Sequence, residues 1–157
     1  MNLLLIEEKD FIGPDTVAVA GRRFDHINRV IKAQVGSQLS CGLINGRMGT
    51  GRITSFRADC LEMRVTLDTA PPKPLPLRLV LALPRPKMLK RIMESVTSLG
   101  VKEIYLMNSW RVERSFWKSP VLETASVERY FRLGLEQGKD TIMPTLHQKR
   151  FFSEFVK

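Results

Sequence analysis

Along residues 60–68, "CLEMRVTLD", Leu61, Met63, Val65 and Leu67 alternate with Glu62, Arg64 and Thr66. That two-residue period predicts a strand with one buried face. Upstream, "VAVAG" (17–21) is a short apolar run that ends on a turn glycine. "FDHINRVIKAQVG" (24–36) spaces Phe24, Ile27, Val30 and Ile31 for one face of a helix that should stop near Gly36. In "QLSCGLINGRMGTGRITSF", Asn45-Gly46 between two strand-like runs predicts a hairpin with a type I′ turn. Together these elements describe a small β-barrel-like module with one helix.

The rhythm changes after "PPKPLP" (71–76), which holds four of the nine prolines. Such a stretch favours an extended connection and offers few ladder donors. Beyond it, "LRLVLAL" (77–83) reads as a buried strand. Met88, Leu89, Ile92, Met93, Val96 and Leu99 then recur at helical spacing over 87–99, with Gly100 placed to close the helix. "EIYLMNS" (103–109) is a second strand. Residues 119–138 form a second helix, with Ser119 as N-cap, Pro120 at its first position and an end near Gly138. Pro144 to His147 suggest a third short strand. "FFSEFVK" opens another helix near Ser153. The expected domains are a β module over 1–72, a proline-rich linker at 73–76, and a parallel α/β part over 77–157. A parallel sheet seldom stands on so few strands, so the α/β part reads as the first half of a larger domain and the chain as part of a longer protein.

Composition narrows the class. The 157 residues are 43% hydrophobic and 26% charged, as expected of a folded protein rather than a disordered one. No apolar run is long enough to span a bilayer. Glu7, Glu8 and Asp10 cut off the N-terminal apolar stretch, which argues against a secretory signal. Two cysteines, Cys41 and Cys60, lack metal spacing and fit a reducing cytoplasm. The formal charge is +9. Residues 1–76 carry 10 Lys and Arg against 8 Asp and Glu, and residues 77–157 carry 15 against 8. The excess therefore lies mostly in the second part and points to a polyanion, with nucleic acid ahead of a membrane surface. A solubilising surface would show the same balance.

Few residues declare chemistry on their own. "GLINGRMGTG" lacks both the phosphate-loop and the dinucleotide patterns, so a hairpin turn explains its glycines better. His26 and His147 have no Cys or carboxylate at ligand spacing, which argues against a metal. "HINRVIK" (26–32) leaves His26, Arg29 and Lys32 off the predicted core face. Arg29 and Lys32 could meet phosphate oxygens there or simply face water. "NSWRVERSFWKSP" (108–120) interleaves cations with Trp110, Phe116 and Trp117. Such a loop can stack on unpaired bases, or its aromatics can pack the loop itself. Arg85 and Lys87 occupy the turn between the first strand of the α/β part and its helix. The helix dipole disfavours cations there.

This layout resembles the small-subunit ribosomal RNA uridine-N3 methyltransferases of the SPOUT superfamily, over essentially the whole chain. "HINRVIK" is similar to the family's His-x-x-Arg-Val-Leu-Arg signature, which carries Arg29 and Lys32 into it. "SVTSLGVKEIYLMNS" is similar to the family's Lys-x-x-Glu-Leu-Gly-Val and following strand, with Ser95 and Ser98 where Lys and Glu are usual. "LEQGKDTIMP" is similar to Glu-Gln-x-x-Arg before a proline. It carries Glu136, Gln137 and Pro144, with Asp140 at the arginine position and Lys139 beside it. The family's Ser-Glu-Arg corresponds to Ser109-Trp110-Arg111, or else shifts to Glu113-Arg114-Ser115. These departures mark a divergent branch.

The resemblance implies a PUA-like RNA-binding β-barrel followed by the first half of a SPOUT-type parallel α/β domain. It implies methylation of a uridine N3 in small-subunit ribosomal RNA, with S-adenosylmethionine as cofactor, in a complete protein that is cytoplasmic and homodimeric. The family's cofactor segments, a Gly-Pro-Glu-Gly-Gly loop and a Leu-Gly-x-Arg-Ile-Leu-Arg run that form its knot, do not occur in this sequence. Tight cofactor binding is therefore not expected of these residues, and no catalytic base is identified. The expected RNA-binding residues are Arg29, Lys32, Arg85, Lys87, Trp110, Arg111 and Arg114. The alternative from another class is a non-enzymatic RNA-binding module, and a third is a protein-interaction domain with solvated cations.

Overall fold

The alternating residues of 60–69 do form a strand, and it is the longest in the chain. In the computed structural model, which describes residues 2–156, the N-terminal sheet contains β1 (Leu4–Ile6), β2 (Thr16–Ala20), β3 (Gln38–Leu43), β4 (Met48–Phe56) and β5 (Cys60–Thr69). Their order is β1-β3-β4-β5-β2, with β1 parallel to β3 and every other pairing antiparallel. Leu61, Met63 and Val65 of β5 point into a core with Leu4, Ile6, Val17, Val19, Ile53 and Cys41. Burial pushes the Cys41 thiol up to about 12, in keeping with its place in the packed core.

The helix of this unit departs from expectation. α1 is only Gly21–Asp25, and His26–Ile31 continue it as a π-helix. The N–H groups of Lys32 and Ala33 both reach the carbonyl of Ile27. The segment ends on Lys32, left-handed at φ 55°, rather than at Gly36. The wider winding breaks the 3.6-residue period on which the core face was read. Phe24 and Ile27 are buried, whereas Val30 and Ile31 are turned to solvent, 66% and 40% exposed. The hairpin is also not type I′. Asn45 is left-handed but Gly46 is not, and the turn closes from Gly46 N–H to the Leu43 carbonyl.

One buried contact fastens the start of this unit. Arg23 grips Asp10 with both terminal nitrogens, at 2.6 and 2.8 Å, and also donates to the Leu5 carbonyl at 2.8 Å. The Glu7 N–H donates to the same carboxylate. Burial alone would raise the Asp10 carboxyl. The Arg23 hydrogen bonds, the Glu7 N–H and the charges of Arg23 and Lys9 outweigh it and hold the group below its usual range.

The chain divides into two compact units, Met1–Pro71 and Pro72–Lys157. In the second, β6 (Arg78–Ala82), β7 (Glu103–Met107) and β8 (Thr145–Lys149) form a parallel sheet in that order, Val80 opposite Tyr105 and Tyr105 opposite His147. α2 (Pro86–Ser98) and α3 (Thr124–Gly138) pack on each other and on the sheet through Leu89, Met93, Ile104, Leu106, Val127 and Phe131. Gly100 takes φ 87° just past α2, as its closing role requires. Met88 and Leu99, expected in the core, are 46% and 70% exposed at the two ends of the helical stripe. Ser119 does cap, accepting from the Val121 N–H, but it caps a single 3-10 turn at Pro120–Leu122. α3 proper starts later, behind Glu123. The last helix, α4, is the short Phe152–Phe155. Phe155 stands edge-on to Tyr105, whose other neighbour is the stacked ring of His147.

α2 and α3 approach closely because glycines face α2. A Cβ on Gly134 would lie 2.6 Å from both the Glu94 carbonyl oxygen and Thr97 Cβ, and one on Gly138 would lie 2.6 Å from the Ser98 carbonyl oxygen. Gly134→Ala should lower the melting temperature, since an overpacking cost of about 1–3 kcal/mol exceeds the ~1 kcal/mol gain in helix propensity. Asp10→Ala should cost about 3 kcal/mol in denaturant unfolding, because it leaves the mostly buried Arg23 guanidinium without its carboxylate. The sign of the acid response follows from the lowered folded pKa of Asp10. Its contribution is complete above the unfolded carboxylate value of ~3.9 and is lost as pH falls through the lower folded value, so wild type and Asp10→Ala should converge in stability only in strong acid.

Candidate nucleic-acid interface

The parallel register of β6, β7 and β8 brings three chain segments out at one edge of the sheet. Residues 83–86 follow β6, residues 108–118 follow β7, and Arg150 follows β8. In open α/β sheets this carboxyl edge is where ligands bind. Two backbone hydrogen bonds continue the ladder into the loops, Leu83 N–H to the Met107 carbonyl and Asn108 N–H to the Arg150 carbonyl.

Arg85 is the N-cap of α2, Pro86 occupies its first turn, and Lys87 follows. No side chain caps this end, and its first turn holds no acid. Two exposed cations therefore sit where the helix dipole is positive, and no acid in the first turn compensates them.

The loop after β7 divides its aromatics between two jobs. Ser109 to Val112 form a turn closed from the Val112 N–H to the Ser109 carbonyl, with Trp110 and Arg111 at the tip. Trp110 is 98% exposed. Val112, Phe116 and Trp117 pack against the core. The Trp117 indole N–H donates to the Asn108 side chain at 3.2 Å, and the Arg150 guanidinium lies 5.4 Å over its ring. Arg114 is exposed on a 3-10 turn, Arg114–Lys118. The packing explanation thus holds for Phe116 and Trp117, and Trp110 is left free to stack. Arg85, Lys87, Trp110, Arg111 and Arg114 share this edge. Arg150 joins them and was missed by the sequence reading; its signal was its place just after the third strand.

Arg29 and Lys32 belong to the other unit. Arg29 is exposed and pairs loosely with Asp25 at 3.5 Å, and Lys32 is the left-handed residue that ends the π-helix. His26 is half-buried and is not part of an exposed row with them.

Asp140, at a position where the resemblance expects arginine, has a defined partner. Lys102 Nζ lies 2.6 Å from Asp140 Oδ2 and donates to the Ile142 carbonyl, while the Ile142 N–H donates to Asp140 Oδ1. Both side chains are buried. The pair ties the start of β7 to the segment between α3 and β8. Among the described residues, no group of three His, Cys, Asp or Glu side chains could hold a metal, and no helix is long and apolar enough to cross a membrane.

A family model described as an RNA methyltransferase domain matches residues 71–157, and the chain belongs to that family. A ribosomal RNA small subunit methyltransferase E from Treponema pallidum is 33% identical over 151 residues, covering 93% of this chain and 56% of that protein. The chain thus spans little more than half the length of that relative. The structure of a probable rRNA-methyltransferase from Porphyromonas gingivalis superposes with a TM-score of 0.72 at 18% identity, over 98% of this chain and 63% of that one. A ribosomal RNA small subunit methyltransferase E from Neisseria gonorrhoeae, solved with S-adenosyl methionine bound, gives a TM-score of 0.68 at 18% identity, over 94% and 62%.

Proposed function

We propose that the chain is the RNA-binding part and the first half of the catalytic domain of an S-adenosylmethionine-dependent ribosomal RNA methyltransferase, acting on a uridine N3 of the small subunit. On this reading the N-terminal unit is a PUA-like module, the C-terminal unit is the opening half of a SPOUT domain, and the complete protein is a cytoplasmic homodimer. One coincidence carries the reading. The family match begins at the proline stretch and covers the parallel unit, whose carboxyl edge gathers cations and a free tryptophan. The curated relative's name and the cofactor-bound neighbour supply the substrate and the cofactor.

The residues of this edge fit RNA and do not fit the cofactor. S-adenosylmethionine carries a sulfonium cation and needs close backbone approach to its adenosine. Here the loops present Arg85, Lys87, Arg111, Arg114 and Arg150, and no glycine-rich cradle. Phosphates complement that charge, and an unpaired base complements the Trp110 ring. The positive end of α2 adds to the attraction. We therefore assign this edge, with Arg29 and Lys32, to RNA, and assign no proton transfer to it.

Two measurements test the reading. In titrations with single-stranded RNA, Arg85→Ala or Arg29→Ala should weaken binding to different sequences about equally, and each should flatten the slope of log affinity against log salt by about 0.7. Trp110→Ala should cost roughly 1–3 kcal/mol of affinity with little change in that slope. Unchanged affinity and slope in all three variants would return the cations to a solvated surface. Calorimetry of the 157-residue chain with S-adenosylmethionine should show no micromolar binding; a micromolar site would place the cofactor among these residues and overturn the assignment of the edge.

A further inference from the structure

We infer that the N-terminal unit holds a pocket for one unstacked RNA base, between the π-helical segment and the end of the β4–β5 hairpin. The pocket has a volume of about 360 Å³ and is lined by Phe24, Asn28, Gln34, Val35, Phe56 and Arg57, among others. That size falls in the range of small-molecule sites, roughly 300–1,000 Å³. It suits a single base with its ribose and not a helix. The inference rests on the reading of the protein as RNA-binding and adds to it a place where RNA sequence or structure is read.

Three features of the lining point to a base. Phe24 and Phe56, both in the lining, form a tilted aromatic pair with centroids 6.3 Å apart, which supplies apolar surface for a base. Asn28 and Gln34 are exposed, and among the described residues neither side-chain amide has a protein hydrogen-bond partner. Each amide offers one acceptor and two donors, the complement of the mixed edge that every base presents. Arg57 stands at the rim, 65% exposed, with its guanidinium fixed on Glu62 at 2.6 Å. The carboxylate tempers that charge, so the pocket is not a bare phosphate trap.

The backbone gives an independent reason. A π-helix is rare and is frequently found at functional sites, and a left-handed lysine adds further cost. Both fall in the segment that walls the pocket. Within His26–Ile31, Ile27 is buried in the core while Asn28 is at the pocket. After Lys32 the chain turns, and Ala33, Gln34 and Val35 also line the pocket; Val35 is 62% exposed.

The test uses the whole chain and two RNA duplexes. One carries a single bulged uridine, and the other an abasic ribose at the bulge. Wild type should prefer the bulged uridine by roughly tenfold. The double variant Asn28→Ala/Gln34→Ala should lose that preference while binding the abasic duplex as wild type does, with an unchanged melting temperature because both side chains are exposed. Amide spectra with uridine monophosphate should shift at Asn28, Gln34 and Phe56 to Ala58. Equal binding of the two duplexes by wild type, or a preference that survives in the double variant, would overturn the pocket and leave the RNA reading intact. No binding of either duplex would overturn the pocket, and no binding of single-stranded RNA as well would overturn both.

Discussion

Parallel pairing of β6, β7 and β8 is the constraint on which the second unit's use depends. Parallel strands cannot be joined by tight turns, so each must be followed by a crossover, and every crossover leaves from the same edge. Here the crossovers carry α2 and α3 to one face of the sheet, and the segments that lead into them carry the cations. The helices can lie that close only because Gly134 and Gly138 present no side chain to α2. Helix packing therefore fixes the direction of α2, and with it the position of Arg85 and Lys87 at its start. Changing the loop residues would alter the proposed interface without altering the frame, which is the usual arrangement of function on a rigid scaffold.

The Lys102–Asp140 pair shows how a departure from a family pattern can leave the frame standing. A lone carboxylate at a buried position would be costly, and so would a lone ammonium. Each here also meets a backbone group of Ile142, so the remaining hydrogen-bonding capacity is used as well. The segment is then held between α3 and β8 by three short contacts, and β8 enters the sheet directly afterwards. What the resemblance presents as a missing arginine is, physically, a satisfied ion pair of this chain's own.

The parts of the fold that were legible were those whose burial is periodic. β5 alternates because one face is covered, and α2 repeats Leu89 and Met93 because one stripe is covered. β1 was illegible for the opposite reason: Leu4, Leu5 and Ile6 are all buried, so nothing alternates. The π-helix defeated the reading because a 3.6-residue template assigns Val30 and Ile31 to a face that a wider turn moves into solvent. Ser119 does cap, but what it caps is a 3-10 turn, and the helix expected to begin there starts only behind Glu123. Of the candidate interface, residues beside a strand end were readable. Arg150 and the roles of Trp110 and Trp117 required knowing which aromatic packs inward. The pocket required more still, since its walls lie about one strand pair apart in sequence and meet only in the folded unit.

Charge and shape are spread unevenly over the chain, and that unevenness has a consequence for recognition. Residues 77–157 hold most of the positive excess, while residues 1–76 are close to balance. Attraction to phosphate is long-ranged, weakened by salt and blind to sequence. Aromatic and amide contacts act only at contact distance and distinguish one base edge from another. On the proposed reading, the basic unit gathers RNA and sets its register, and the nearly neutral unit contributes discrimination. A neutral unit serves that role better than a basic one. Additional cations around the Phe24–Phe56 pocket would add affinity for every RNA alike, and the energetic difference between a base that fits and one that does not would become a smaller share of the total.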